Sequence, residues 1–424
     1  MGYKVERHNV RKGSPLWKMC DELCFLSKNV YNSTLYATRQ HFFRTGQYLR
    51  YNECNRLFKE QHNPDYYAMN TKVAQFTMRL VDQAYRSFFA LLKKSECKDN
   101  AKLPKYLNKI KGRQAAHFNN QAFSFNSRTV PRGCIKLSGT NIMFRTKVEK
   151  PTYVTVTQNP NGNYLILVGY KVPDVKPIKS NNYASIDIGV NNLATVTFTN
   201  SNPIIVNGRP LKSINQFYNK VIARLQIRQD SYINSVENVS KEKAKRIPKR
   251  TNRMNRVTQT RNNKIEDYMH KSSRCIVNQL VSKNISKLII GYNKGWKQGT
   301  NVGDKNNQNF VQIPFLKFVR MLEYKCAYAG IQVILREESY TSKSSFIDKD
   351  YIPTYGKDDE CFNSSGKRIR RGLYQTRNKI ILNADVNGSL NILRKYLKEA
   401  ENTDIYDLVN LVEVCSTPMV FTMK

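Results

Sequence analysis

The chain has 424 residues, 40% of them hydrophobic, and sets 70 Lys and Arg against 32 Asp and Glu for a net charge of +38. That length calls for two or three domains, and the apolar share excludes global disorder. A charge excess of this size repels itself and no fold requires it, so it points to a polyanion whose counterions are released on contact. A membrane-spanning segment is excluded, because no run reaches the ~18 consecutive apolar residues of a span. Met1-Gly2-Tyr3-Lys4 opens no signal-peptide stretch, so a cytoplasmic, nucleoid-associated protein is expected. The nine cysteines are scattered without a CxxC pair, which argues against a disulfide framework and a self-contained zinc site. Cys20 and Cys24 share a helical apolar face and are read as core.

Residues 2–10 alternate as a short strand, and a helical block follows from about 15 to 95. Breaks are expected at Thr45-Gly46 and Asn63-Pro64-Asp65. Lys72, Arg79 and Arg86 recur every seven residues and give the last helix of this block a basic face. Residues 98–130 are polar, basic and rich in Asn and Gln, and read as a connector. From 131 to 176 the period becomes two: Tyr153–Thr157 and Tyr164–Val168 are strands joined by the turn Asn159-Pro160-Asn161-Gly162. The expected arrangement is a β-barrel from 1–12 and 131–180, interrupted by a helical insert over 13–130.

An α/β domain is expected over 181–400. Tyr183–Gly189 reads as a buried strand carrying Asp187, and Leu193–Phe198 as its hairpin partner. Residues 213–282 read as two long helices. Between Lys241 and Lys264 lie ten Lys or Arg against the single acid Glu242; Lys249, Arg250, Arg253 and Arg256 are the members expected to lie along phosphates. Leu288–Tyr292, a helix over 315–329 and Gln332–Glu338 make a βαβ unit, which implies parallel strands. Residues 345–376 look irregular and basic, with Arg368, Arg370 and Arg371 as further anion-binding candidates. Asn383-Ala384-Asp385 opens a final helix, and the tail 401–424 carries no signal.

Phosphodiester hydrolysis at neutral pH needs charge neutralisation and an activated water, which two divalent ions held by clustered carboxylates supply. Asp187 inside an apolar strand is costly without a cationic partner. Asp385 at a helix start has helix capping as its ordinary role. Taken together, a strand with Asp, a hairpin, a helical insertion, βαβ and an Asp-led helix follow the order of an RNase H-like domain.

Ile186-Asp187-Ile188-Gly189-Val190-Asn191-Asn192-Leu193-Ala194 resembles the first RuvC motif of the OrfB/TnpB proteins of insertion sequences, and Asn383–Leu393 resembles the third. Gly291–Gln298, Asn309–Phe315, Ser339–Lys343 and Asn29–Asn32 are similar to one branch of that family. The resemblance implies a wedge barrel, a helical recognition insert and a RuvC nuclease domain. It also implies a guide RNA from the transposon end, target double-stranded DNA and two Mg²⁺ ions, with Mn²⁺ as the alternative. A monomer is expected. Where most relatives end the second motif in Glu, this chain has Gly291. Glu338, at the end of the next strand, is the expected replacement, and Glu337 its rival on the opposite face. Asp187, Glu338 and Asp385 are therefore the expected catalytic and metal-holding residues. Relatives carry two CxxC pairs in the 341–382 region, where this chain keeps only Cys361; no zinc is expected. Lys72, Gln75 and Arg79 are candidates for reading DNA from the recognition insert. The expected activity is RNA-guided DNA cleavage. The alternatives are a guided DNA-binding regulator without cleavage, which Gly291 motivates, and a DNA transposase acting without RNA.

Overall fold

The computed structural model describes residues 2–93, 101–293, 311–354, 356, 362–370, 372–401, 403–407 and 417–423. Contacts divide the chain into two compact units, Met1–Pro173 and Asp174–Lys424. Cys97, Trp296, Cys361, Arg371, Cys415 and the motif stretches 294–298 and 309–310 lie outside the described residues.

In the first unit, β1 (Gly2–Val10) leads into α1 (Pro15–Thr45), α2 (Tyr51–Glu60), α3 (Pro64–Tyr67) and α4 (Thr71–Leu92). Ser14 caps α1 by accepting from Trp17 N, Pro15 fits its first turn, and Gly46 closes it in the left-handed region at φ 72°. There follow β2 (Ala116–Asn119), β3 (Phe123–Phe125), β4 (Cys134–Leu137), β5 (Met143–Arg145), β6 (Pro151–Gln158) and β7 (Tyr164–Val172). The strands form two sheets, β1-β7-β6-β2 and β3-β4-β5. Alternate residues such as Val154, Val156, Ile166 and Val168 meet Cys20, Leu23 and Cys24 of α1 and Val73 of α4 in one core, which also takes Ile135 and Leu137.

Two expectations change here. The stretch 98–130 is not only a connector, because β2 pairs with β6 and β3 with β4. Alternation in Ala116-His117-Phe118-Asn119 lasts four residues, too few to stand out of a polar segment. The helical insert therefore ends before residue 116. The expected single barrel is, in its hydrogen bonding, two separate sheets over a shared core. A half-buried polar tie fixes the connector: Arg113 grips Asp21 of α1 through Nε and Nη2 at 2.9 and 2.8 Å, and Tyr164 of β7 donates to the same carboxylate at 2.7 Å.

In the second unit, β8 (Tyr183–Asp187), β9 (Asn192–Phe198) and β10 (Ile204–Asn207) precede α5 (Arg209–Glu237), α6 (Lys241–Arg246) and α7 (Asn252–Ser282). Then come β11 (Lys287–Gly291), α8 (Phe315–Ala327), β12 (Gln332–Arg336), β13 (Lys367–Arg370), β14 (Leu373–Gln375), β15 (Ile381–Asn383), α9 (Ala384–Tyr396) and β16 (Met419–Phe421). The main sheet runs β12-β11-β8-β9-β10-β16. β12, β11 and β8 are mutually parallel, and β8-β9-β10 is an antiparallel meander.

Successive side chains of a strand face opposite ways, and this sorts the layers. Ala184, Ile186, Leu288 and Ile290 pack on one face against Ile276 of α7 and Phe318 and Leu322 of α8. Tyr183 and Ile289 face the other way, against Leu390, Ile392 and Leu393 of α9. The region read as irregular contains strands among its described residues, for β13 and β14 pair and β15 joins them in a small sheet. Strands of three or four residues, mostly exposed, carry no burial pattern to read. The tail also contributes, since β16 adds a parallel edge strand beside β10.

A carboxylate centre at the strand ends

Parallel neighbours bring their carboxyl ends to one edge of the sheet. Ile186 of β8 is paired with Ile290 of β11, so Asp187 and Gly291 come next, side by side and on the α9 face. Gly291 in turn is paired with Arg336, the last residue of β12. Two strand spacings, roughly 10 Å, separate β8 from β12, and a side chain from beyond β12 must cross β11 to reach Asp187.

Gly291 leaves the space for that crossing. A Cβ there would lie 2.3 Å from Glu338 Oε2, 3.2 Å from Glu338 Cβ and 2.6 Å from Ile392 Cδ1. The Glu338 carboxylate thus occupies the room that a side chain on β11 would take. Burial first, then the neighbouring charges of Asp187 and Glu337, push the Glu338 carboxyl up to about 8. Burial also raises Asp187, to about 7, with Asp385 adding to the rise and Arg368 opposing it. Desolvated carboxylates facing one another resist ionising together. Glu337 turns instead to α9. Its carboxylate pairs with Lys395 of α9 and accepts from Ser339 N at 2.7 Å, and it is held below the usual carboxylate range by those hydrogen bonds against the opposing effect of burial.

Asp385 stands in the first turn of α9 without capping it. Asn383 is the cap, accepting from Asp385 N at 3.0 Å and Val386 N at 3.2 Å, so the Asp385 side chain is released for other contacts. Its Oδ2 accepts from Asn192 Nδ2 at 2.7 Å, and its Oδ1 pairs with Arg368 Nη2 of β13 at 2.9 Å. Gly388, one turn on, is closely approached as well: a Cβ there would lie 3.0 Å from Asp187 Oδ2. Asp187, Glu338 and Asp385 are each half-buried residues.

The donors are all carboxylate oxygens, a hard set that suits Mg²⁺ or Mn²⁺ rather than zinc. Asp187 is the electrostatic neighbour of both Glu338 and Asp385. Among the described residues, however, no three His, Cys, Asp or Glu side chains are gathered tightly enough to hold an ion as they stand. The reason is visible at Asp385, whose two oxygens are turned toward a guanidinium and an amide.

The other residues singled out by sequence are dispersed. In the first unit, Lys72 is exposed, Gln75 donates to Tyr66 OH at 3.1 Å, and Arg79 stacks 4.5 Å from the Tyr51 ring. In the second, Lys249, Arg250, Arg253 and Arg256 are exposed around the start of α7, with Arg250 donating to Thr258 at 2.8 Å. Arg370 is exposed on β13, and Arg368 reaches the carboxylates through Asp385. Sequence reasoning did not single out Asn192 or Lys395. Asn192 sits inside the motif around Asp187, but only the hairpin shows that it meets Asp385.

Comparison with known proteins finds partial matches. Residues 166–297 match the OrfB_IS605 family, described as a probable transposase, and residues 315–392 match the Cas12f1-like TNB domain. The two matches follow one another along the chain, with Asp187 inside the first and Glu338 and Asp385 inside the second. The chain is similar to the CRISPR-associated endodeoxyribonuclease Cas12f2 of Micrarchaeota archaeon (strain CG1_02_47_40), at 26% identity over 263 residues. That alignment covers 59% of this chain and 43% of the relative, so the chain spans less than half of the curated protein it matches. Among solved structures, the mini-RNA-guided endonuclease CRISPR-Cas_phi3 is similar with TM-score 0.44 and 10% identity, covering 93% of this chain and 92% of that one. A Cas12f1-sgRNA-target DNA complex is similar with TM-score 0.34 and 12% identity, covering 92% and 98%. Among the described residues no helix is long and apolar enough to cross a membrane.

Proposed function

We propose that the chain is a transposon-type RNA-guided DNA endonuclease whose RNase H-like (RuvC) centre is Asp187, Glu338 and Asp385. The observation that carries this reading is the Glu338 carboxylate lying in the space of the missing Gly291 side chain, beside Asp187. A catalytic glutamate lost from β11 is replaced by one reaching over from beyond β12. The strand order β10-β9-β8-β11-β12, with α9 across one face, supports the RNase H-like assignment. The two domain matches support the family's activity.

Asp187, Glu338 and Asp385 would hold two Mg²⁺ ions, or Mn²⁺. Bound there, the ions would neutralise phosphoryl charge and lower the pKa of the attacking water. The chain's own residues do the remaining work. Burial and mutual repulsion of Asp187 and Glu338 favour exchange of a proton for a cation. Asn192 and Arg368 orient Asp385. The exposed cations at the start of α7 and on β13 lie along nucleic-acid phosphates. In the first unit, Lys72, Gln75 and Arg79 face the target duplex. Base pairing with a guide RNA supplies most of the sequence selection, and protein contacts read a short flanking motif. The protein works on DNA in a prokaryotic cytoplasm.

A guided DNA-binding regulator without cleavage is the second reading. It is favoured by Asp385, whose carboxylate is engaged by Arg368 and Asn192. The deciding experiment is plasmid cleavage in Mg²⁺ by the chain co-expressed with its transposon-end RNA, beside Glu338→Ala. Cutting by wild type, and guided binding without cutting by Glu338→Ala, supports the nuclease. Guided binding by a wild type that never cuts refutes it in favour of the regulator.

A further inference from the structure

The helix that presents Asp385 also grips the segment that presents Glu338. Residues four apart on a helix share a face. In α9, positions 387, 391 and 395 each carry a polar side chain, and these are 0%, 0% and 6% exposed. Asn387 Nδ2 donates to Ser344 O at 2.8 Å, and its Oδ1 accepts from Phe346 N at 2.9 Å. Asn391 Nδ2 donates to Thr341 O at 2.9 Å and Ser344 O at 2.7 Å. Lys395 Nζ pairs with Glu337 and donates to Pro353 O at 3.2 Å. The gripped residues run from 337 to 353 and bracket Glu338. Thr341 Oγ1 donates to Glu338 O at 2.8 Å, carrying the hold to the glutamate's own backbone.

The α9 face toward the sheet has a matching tie to the Asp187 strand. Ser389 Oγ donates to Ser185 O at 3.1 Å and lies 2.9 Å from Thr197 Oγ1, while Ser185 Oγ donates to Ser389 O at 2.7 Å. Apolar side chains would fill these buried positions without the desolvation cost of three polar groups and a lysine. Apolar packing is non-directional, however, and permits small slides between segments. Hydrogen bonds to named carbonyls fix a register.

We propose that the buried Asn387-Asn391-Lys395 ladder of α9 positions Glu338 relative to Asp385, with Lys395 acting through Glu337 as its terminal clamp. The inference rests on the nuclease reading above and extends it to residues that touch neither metal nor substrate. Lys395 holds the Glu337 carboxylate against α9, which leaves Glu338 as the acid that reaches Asp187. Outer contacts of this type set metal affinity by factors of roughly 10–100.

The test uses the full chain with its guide RNA and compares wild type, Lys395→Met and Glu337→Gln. The second variant breaks the same pair from its more exposed end, so it folds even where the buried change does not. Three quantities are read: amide hydrogen exchange over residues 338–345, Mn²⁺ affinity by calorimetry, and thermal midpoint. Faster exchange confined to 338–345 is expected in both variants, with Mn²⁺ affinity about 10-fold weaker in Lys395→Met and less affected in Glu337→Gln. Unchanged exchange in Glu337→Gln overturns the proposal. So does wild-type Mn²⁺ affinity in a variant whose exchange has quickened, or a loss of affinity matched by a general fall in protection, which marks a merely structural role. A wild type that binds no Mn²⁺ removes the nuclease reading itself, an outcome distinct from wild type and variants binding equally well.

Discussion

Gly291→Ala isolates the geometry on which the centre depends. The added methyl would sit 2.3 Å from Glu338 Oε2, against 3.4–4 Å for ordinary contact. The carboxylate must therefore retreat by about 1 Å, a misplacement that can cost about 100-fold in rate. Overpacking ordinarily costs about 1–3 kcal/mol. Here the crowded atoms, Glu338 Oε2 and Ile392 Cδ1, are ends of flexible side chains. Moving Glu338 away also relieves its repulsion with Asp187. The net stability change is thus expected to stay within about 1 kcal/mol, with guide and target binding intact. Guided plasmid cleavage in Mg²⁺, thermal melting and target-binding titration of wild type and variant measure each part. Cleavage by Gly291→Ala at the wild-type rate would show that Glu338 is not used where it lies. Loss of cleavage together with loss of guide binding or stability would show a folding defect, and would equally sink the argument.

Gly388→Ala places a methyl 3.0 Å from Asp187 Oδ2, a milder crowding, so its loss of cleavage should be smaller than that of Gly291→Ala; a larger loss in parallel assays would contradict the ranking. Lys325 of α8 is buried among α7 groups, where burial first and Arg274 second lower its pKa to about 8. Because this lies below the ordinary lysine value of about 10.4, the charged form penalises the fold at lower pH, and stability is recovered as pH rises from about 8 toward 10.4. Lys325→Met gives up donations to His270 O and Ser273 Oγ but removes the buried charge, so any advantage over wild type should be largest near pH 7 and shrink across that window in denaturant titrations. An advantage independent of pH would rule out a buried charge as the cause.

Much of the chain's local structure follows from its residues alone. Tyr153–Thr157 and Tyr164–Val168 alternate, and Asn159–Gly162 supplies the turn with Gly162 at φ 77°, so β6 and β7 form a hairpin whatever surrounds them. Ser14-Pro15 and Gly46 mark the ends of α1 for the same reason: caps and turns are chemistry between near neighbours. The apolar runs Tyr183–Ile186 and Leu288–Ile290 require burial on both faces, which sets them in a parallel sheet. The basic run from Lys241 needs only counting. Strands of three or four residues were not legible, because a partner rather than a pattern makes them strands, as with β2 against β6 and β16 against β10.

The carboxylate centre divides along the same line. The sequence by itself determined which acids stand at the ends of apolar strands and at a helix start, since those positions depend on neighbours a few residues away. Only the tertiary structure places Glu337 against a lysine 58 residues on, and Glu338 beside Asp187 in the space left by a glycine 47 residues before it. It also decided that Asn383 rather than Asp385 caps α9, and that Asp385 is held by Asn192 and Arg368. Register between strands, and the reach of one side chain across another's missing Cβ, are set by packing between distant segments, which no local run of residues encodes.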